Sequence, residues 1–242
     1  MGTSNVETIP CTFLGLDGKL CHYDSARFVV LPIPYDSTSS YRTGSREGPA
    51  AIIAASQQVE LFDEELRREL HQAGVATLDP LMPNMAGPEQ MHEDIHKIAR
   101  KVVRDGKFLL ALGGEHGLTS GLVRAVAAKY KNLSILQIDA HLDLRDSYQQ
   151  SRFSHASVMR RCGEHVGSIV PVGIRNVSKE EHLYCKKNKI VPVSARDCCF
   201  TDEWVDRVLD GLTDNVYVTV DIDGFDPAYA PGTGTPEPGG LD

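Results

Sequence analysis

Short apolar runs alternate with helix-length segments along most of this chain, and this alternation limits the possible folds more than any other feature. The runs are almost continuously apolar, as expected of strands buried on both faces; examples are Phe108–Leu112, Leu133–Ile138 and Ile169–Ile174. Segments with the apolar spacing of helices separate them. The pattern predicts an α/β fold, a three-layer α/β/α sandwich with a mainly parallel sheet.

The first third of the chain carries its own predictions. The strand Arg27–Leu31 should stop at Pro32, because proline lacks a ladder N–H. The polar stretch 35–48 is long enough to be a functional loop. Pro49 should begin a long helix with one apolar stripe, made of Ile52, Ala55, Val59, Phe62, Leu66 and Leu70. Residues 1–26 should form an irregular arm of one domain spanning 1–242.

Composition argues against several classes of function. A formal net charge of −8 opposes nucleic-acid binding; it agrees with a cationic small-molecule substrate, although the solubility of the protein alone also explains it. The 6 cysteines contain no CxxC pair, so no zinc ribbon or disulfide framework is indicated, and a reducing cytoplasm is the expected location. No run approaches the roughly 18 apolar residues of a membrane span, and the N-terminus lacks a signal-peptide pattern. We therefore expect no membrane partner.

Ligand-type side chains follow three of the predicted strands at the point where each strand ends. Asp139, His141 and Asp143 occupy every second position after Leu133–Ile138, so the period of a strand points them the same way. The other two places hold His116, after Phe108–Leu112, and Asp221 and Asp223, after Val216–Val220. Ligands collect beyond the carboxyl ends of parallel strands. The six side chains are therefore predicted to meet.

The chemistry of these six residues predicts a metal site. Isolated buried carboxylates are too costly to keep ionised without a cation or hydrogen-bond donors. Carboxylates with imidazoles and no thiolate favour a divalent ion such as Mn²⁺ over a structural Zn²⁺ site. Six ligands suit two ions, about 3.5 to 4 Å apart, better than one. Such a pair makes a nucleophile from water near neutral pH, which predicts a hydrolase.

Each of these patterns also has a structural explanation when taken alone. The acids and histidine of 139–143, taken alone, could belong to a surface turn. Asp221 and Asp223 could cap the next helix, as acids after a strand often do. His116 could be a core histidine with satisfied hydrogen bonds. Only their joint placement at three strand ends favours the metal site. His155 is either a helix-start residue or a proton carrier.

Four segments resemble the ureohydrolase family, the dimanganese enzymes that include arginases and agmatinases. They are Gly113–His116, Asp139–Asp143, Ser154–Ser157, and Asp221–Pro227 with the turn Ala230–Pro236. The resemblance extends from about Val29 to Leu241. It implies the arginase/deacetylase-like form of the α/β/α sandwich, a small cationic guanidino substrate and a homo-oligomer.

The resemblance also implies two Mn²⁺ per chain and a role for each site residue. One ion would be held by His116, Asp139, Asp143 and Asp221, and the other by Asp139, His141, Asp221 and Asp223. Asp139 and Asp221 would bridge the two ions. Asp143 would also orient the nucleophile, and His155 would relay a proton to the leaving amine.

Loops 35–48 and 144–153 resemble those of agmatinases more than those of arginases. This predicts hydrolysis of agmatine to putrescine and urea, a step of polyamine biosynthesis. The alternatives are a ureohydrolase that acts on arginine, guanidinobutyrate or aminopropylagmatine, and an inactive truncated relative with a binding or regulatory role.

Two departures from the family pattern accompany this resemblance. Gly117 stands where the family usually has Ser. The family's closing segment, with the glutamate that grips the guanidinium, is expected to be missing. The fold is therefore predicted to be C-terminally incomplete, with one side of Val216–Ile222 uncovered and little activity in this form.

Overall fold

The computed structural model describes residues 11–200 and 202–242, and its strands form two parallel sheets. The first sheet has the order β2-β1-β3, with β1 at Phe28–Ile33, β2 at Val75–Thr77 and β3 at Phe108–Gly113. The second has the order β6-β5-β4-β7, with β4 at Leu133–Ile138, β5 at Ser168–Ile174, β6 at Val193–Ser194 and β7 at Asn215–Val220. The prediction of a mainly parallel α/β fold is confirmed.

Helices follow the strands in the alternating order that the apolar pattern predicts. They are α1 (Gly48–Ser56), α2 (Pro88–Arg104), α3 (Thr119–Ala127), α4 (Val158–Cys162), α5 (Lys179–Asn188), α6 (Ala195–Phe200) and α7 (Glu203–Gly211). The sequence pattern does not predict α6. Helix α2 buries Met91, Ile95 and Val102, which recur at helical spacing along one face. Within the described ranges, no helix is long and apolar enough to cross a bilayer.

The two sheets meet at strand β7. The ring of Tyr217 packs against the core beneath the first sheet, which includes Ile95 and Leu118, and against the core of the second, which includes Ile135. Burial on both sides therefore holds the ends of β3, β4 and β7 close together. These are the three strands that carry the predicted ligands.

The expectation that Pro32 ends the first strand is wrong, because β1 continues to Ile33 in the centre of its sheet. Even-numbered residues of β1 bond towards β2: the Phe28 N–H donates to the Gly74 carbonyl, and the Leu78 N–H donates to the Val30 carbonyl. Since β2 ends at Thr77, paired with Val30, the nitrogen of Pro32 faces beyond the end of β2. The missing N–H therefore costs no ladder bond.

The prediction of a long helix from Pro49 is also wrong, because α1 ends at Ser56. Of the expected stripe, Val59, Phe62, Leu66 and Leu70 are exposed. The Ser56 hydroxyl donates to the Ile53 carbonyl and accepts from the Leu14 backbone N–H, 2.8 Å away. Residues 11–26 of the arm thus pack on the end of α1, and their short 3-10 turns at Phe13–Gly15 and Gly18–Leu20 replace part of the expected irregular chain, while residues 1–10 lie outside the described ranges.

Strand β7 has an exposed apolar face. It pairs with β4 on one side and, among the described residues, with no strand on the other. Val216, Val218 and Val220 are between 40% and 55% exposed. The opposite face, which carries Tyr217 and Thr219, is covered by the core and by His116. The face of β7 that leads to the metal-type residues is therefore the buried face.

Candidate metal centre

Three strand ends bring the six predicted ligands together. His116 follows β3 in a 3-10 turn, Asp139, His141 and Asp143 follow β4, and Asp221 and Asp223 follow β7. The turn after β3 needs glycine, because any side chain at Gly114 would overlap the backbone of Tyr35. Since β4 and β7 are paired in register through Ile138 and Val220, their acids leave the sheet at the same level.

The carboxylates divide into two groups around the two histidines. His116 Nδ1 lies 2.9 Å from an Asp143 oxygen, 3.1 Å from Asp139 Oδ2 and 3.5 Å from Asp221 Oδ2. His141 Nδ1 lies 3.1 Å from Asp223 Oδ2 and 3.7 Å from Asp139 Oδ1. The two oxygens of Asp139 therefore face different histidines. This is the arrangement that a carboxylate shared by two ions requires.

The charges of the six side chains depend strongly on one another. Burial, reinforced by the negative charge of Asp139, raises the pKa of Asp143 and of Asp221. Burial also opposes charge on Asp139, but hydrogen bonds to His116 and His141 lower its pKa. Burial disfavours protonation of His141, yet its bonds to Asp139 and Asp223 raise its pKa to about 11. Positive charge at both histidine positions thus stabilises the carboxylates.

This set of donors fits a pair of divalent cations. Two subsets have ligand atoms within 4.8 Å of one another, namely His116 with Asp139 and Asp221, and Asp139 with His141 and Asp223. A cation in each subset would replace the protons that the imidazoles now share with the carboxylates. Oxygen and imidazole donors without a thiolate suit Mn²⁺.

The backbone of Asp143 is held in an uncommon conformation. Its φ is 52°, in the left-handed region that non-glycine residues rarely adopt. The Asp143 carbonyl accepts N–H bonds from Met159, at 3.0 Å, and Arg160, at 3.3 Å, at the start of α4. These bonds turn the carboxylate towards His116 and add a constraint that is often found at functional sites.

Several supporting residues were not predicted from the sequence. Thr219 Oγ1 lies 3.0 Å from His116 Nε2, and Gln137 donates to Asp139 at 2.9 Å. Thr235 donates to Asp223 at 2.8 Å, and a Glu237 oxygen lies 3.5 Å from His141 Nε2. Such partners orient metal ligands. The sequence contained a clue for two of them, because Gln137 and Thr219 are polar residues in apolar strands, two positions before Asp139 and Asp221.

His155 lies outside the six-residue cluster, at the edge of the predicted loop 35–48. Its Nε2 is 3.2 Å from the Ser40 hydroxyl, and its backbone N–H donates to Thr38 Oγ1. Its Nδ1 is buried and has no hydrogen-bond partner among the described residues. Burial, together with the positive charge of His116, lowers its pKa. His155 is thus a neutral imidazole with one free nitrogen beside the cluster.

A buried glutamate connects this loop to the metal-type residues. Glu115, next to His116, accepts bonds from the backbone and hydroxyl of Thr38 at 2.7 and 2.6 Å. Burial raises the Glu115 pKa to about 7 despite these bonds. Because the Thr38 hydroxyl oxygen also accepts the backbone N–H of His155, Glu115 helps to hold loop 35–48 beside His155.

Gly117 is the residue that makes room for Glu115. A Cβ at position 117 would lie 2.9 Å from Glu115 Oε1 and 3.3 Å from the backbone nitrogen of His155. Glu115 cannot move away easily, because Thr38 holds its carboxylate. Glycine at position 117, where the family usually has Ser, therefore leaves the space that the Glu115 carboxylate occupies.

We expect Gly117→Ala to destabilise the protein by about 1–3 kcal/mol, the usual cost of overpacking a buried site. Urea unfolding measures this free energy. The matched control is Gly232→Ala, because a Cβ there would meet no atom within 4 Å. A free energy of unfolding for Gly117→Ala equal to that of the control would contradict this account of Gly117.

Comparisons with known proteins agree with this geometry. A model of the arginase family matches residues 26–242, a range that contains all six cluster residues and His155. The N(1)-aminopropylagmatine ureohydrolase of Synechocystis sp. is 41% identical over 227 residues, covering 90% of this chain and 74% of that protein. The agmatinase of Pyrococcus horikoshii is 36% identical over 238 residues, covering 95% of this chain and 80% of that protein. The crystal structure of the agmatine ureohydrolase of Thermoplasma volcanium has a TM-score of 0.84 at 37% identity, covering 92% of this chain and 76% of that one.

Proposed function

The chain belongs to the arginase family, and from this membership we propose that it uses two Mn²⁺ ions to hydrolyse agmatine to putrescine and urea. The observation that carries the proposal is the position of Asp139, whose two oxygens face His116 and His141 separately. A carboxylate placed in this way serves two ions, and a pair of ions is suited to hydrolysis.

The six residues form two overlapping sets of ligands, one for each ion. We assign His116, Asp139, Asp143 and Asp221 to one ion, and Asp139, His141, Asp221 and Asp223 to the other. When bound, such a pair supplies a nucleophile made from water near neutral pH. Asp143 is the residue placed to orient this water, because α4 fixes its backbone. Thr219 and Gln137 keep His116 and Asp139 in the orientation that the ions need.

His155 is proposed to give a proton to the leaving amine. Cleavage of a guanidine carbon–nitrogen bond leaves an amine that must gain a proton as it departs. The Ser40 hydroxyl, 3.2 Å from His155 Nε2, orients the ring and connects it to the solvent side of the loop. The lowered pKa of His155 favours the release of a proton once the imidazole has received one.

The charge of the site supports a cationic substrate. Agmatine carries a guanidinium group and an ammonium group, and the cluster contains four carboxylates in a chain of net charge −8. Glu237, at the solvent side of His141, is a further acid at the mouth of the site. Its carboxylate also accepts the Asn176 side-chain amide, so its position is defined. An amine-bearing chain is therefore favoured over one that carries an extra carboxylate.

N(1)-aminopropylagmatine is the second candidate substrate. One specific observation favours it, because the 41% identical relative from Synechocystis sp. carries that activity in its name. Both substrates present the same guanidinium to the metal centre and differ at the amine end. The loops 35–48 and 144–153 are placed to distinguish them, since they border His155.

We expect the Mn²⁺-loaded protein to release urea from agmatine or its aminopropyl derivative at least about 100-fold faster than from arginine, because an added carboxylate without a hydrogen-bonding partner is rejected strongly. A urea assay with agmatine, aminopropylagmatine, arginine and guanidinobutyrate measures the preference, and Asp223→Ala serves as the metal-site control. Faster turnover of arginine would overturn the choice of substrate. Urea release by Asp223→Ala equal to that of the wild type would overturn the metal assignment.

A further inference from the structure

A cavity lies among α2, α3 and α4, apart from the metal-type cluster. Its volume is about 180 Å³, and His92, Ser120, Arg124, Phe153, Arg161 and Glu164 contribute to its wall. None of the six metal-type residues lines it. A cavity of this size holds several waters or one small polar ligand.

Arg161 brings unused hydrogen-bond donors to this cavity. The residue is only 4% exposed. Its Nη2 donates to Asp146 at 2.7 Å, but Nε and Nη1 are buried and make no hydrogen bond to any described residue. The carboxylate of Glu164 is 3.4 Å from Nη1, close enough for an ion pair. Buried guanidinium donors are costly to leave unsatisfied, so they point to a ligand that accepts hydrogen bonds.

His92 adds a third donor. It is 4% exposed, and its Nδ1 lies 2.6 Å from the Ser120 hydroxyl, while Nε2 is buried and has no hydrogen-bond partner in the part of the chain that the structure describes. Burial lowers the His92 pKa to about 4, so the ring carries one proton. If the hydroxyl donates to Nδ1, as the short contact favours, that proton is on Nε2. His92 then offers an N–H in the wall of the same cavity.

The acids near this cavity are already paired with arginines. The ion pairs around the cavity involve four arginines and three acids, namely Arg124, Arg152, Arg160 and Arg161 with Glu93, Asp146 and Glu164. Of these seven residues, Arg124, Arg161, Glu93 and Glu164 line the cavity, so the charges of its wall balance. Glu93 is already paired with Arg124, and Glu164 with Arg152 and Arg161. The acids are thus neutralised by partners.

We propose that this cavity binds a small oxyanion, of the sulfate, phosphate or carboxylate class, through Arg161 and His92. The three unused donors are matched by an ion that carries several acceptor oxygens. The ring of Phe153 stands edge-on to His92, with 5.0 Å between centroids, and Phe153 is two residues before His155. A bound oxyanion therefore fixes the segment that carries the proposed proton carrier.

Calorimetric titration of the Mn²⁺-loaded protein with sulfate, and separately with acetate, at constant ionic strength tests the proposal. These two probes distinguish a tetrahedral oxyanion from a planar one. We expect Arg161→Gln to weaken binding about tenfold or more, because charged hydrogen bonds are lost, and Arg124→Gln to weaken it by a few-fold. The matched control is Arg207→Gln, another exposed arginine in an ion pair, which does not line the cavity.

Binding of either probe that is weakened by Arg161→Gln and retained by Arg207→Gln supports the site. Affinity that is the same in the wild type and both cavity variants overturns it, as does the absence of binding by both probes. Arg124 is exposed, so Arg124→Gln and Ser120→Ala decide the matter if Arg161→Gln fails to fold. Titration measures binding without turnover, so its result is independent of the proposed hydrolysis.

Discussion

Asp139→Ala should leave the protein with less than one Mn²⁺ per chain after reconstitution and lower urea release by about 10³-fold or more, since two-ion catalysis supplies several kcal/mol. The reason is geometric. Asp139 is fully buried, and its two oxygens face His116 and His141 separately, so both ions lose a ligand. Metal analysis by mass spectrometry and a urea assay measure the two effects together.

The comparison with His116→Ala makes this test specific. His116 belongs to one of the two subsets only, so its loss should weaken one ion and spare the other. Asp139→Asn adds a second comparison, because it keeps the shape of the side chain and removes the charge. Equal loss of Mn²⁺ from Asp139→Ala and His116→Ala would contradict the shared role of Asp139. Asp221→Ala should behave like Asp139→Ala if Asp221 also bridges.

His155→Ala should lower urea release by about 10²- to 10⁴-fold, the usual contribution of a positioned proton donor, while leaving the Mn²⁺ content unchanged. The His155 ring is not hydrogen-bonded to any of the six cluster residues, so its removal should not disturb the ions. Its backbone N–H bond to Thr38 does not need the side chain and should survive.

The matched control is His182→Ala, a histidine on the exposed side of α5. It should change neither urea release nor metal content. A loss of less than about tenfold for His155→Ala would rule out an essential proton transfer through this residue. A parallel loss of Mn²⁺ would instead assign His155 a structural role at the metal centre.

The anion cavity and His155 are connected by the same short segment. Phe153 contacts His92 in the cavity wall, and the backbone of His155 is bonded to Thr38 in loop 35–48. Glu115 holds Thr38 from the side of the cluster. The segment that carries His155 is therefore held by contacts from both sides.

The sequence by itself determined the architecture and the membership of the cluster. Continuous apolar runs bury a strand on both faces, and a period of two places Asp139, His141 and Asp143 on one side of the chain. These are local rules that act within a few residues.

Local rules failed where a distant segment changed the outcome. The apolar spacing after Pro49 is helical, yet α1 ends at Ser56, where the backbone N–H of Leu14, more than forty positions away in the chain, donates to the Ser56 hydroxyl. Pro32 is tolerated within β1 because the neighbouring strand has already ended. Neither partner is visible in the local pattern.

Only the tertiary structure decided how the ligands divide and what supports them. The sequence places Asp139 and Asp221 equally at strand ends, but the meeting of the ends of β3 and β4 brings His116 to one oxygen of Asp139 while His141 lies at the other. The contacts of Thr38 with Glu115 and of Arg161 with its cavity join residues from separate elements. Their pairing depends on packing between elements, which no periodicity along the chain encodes.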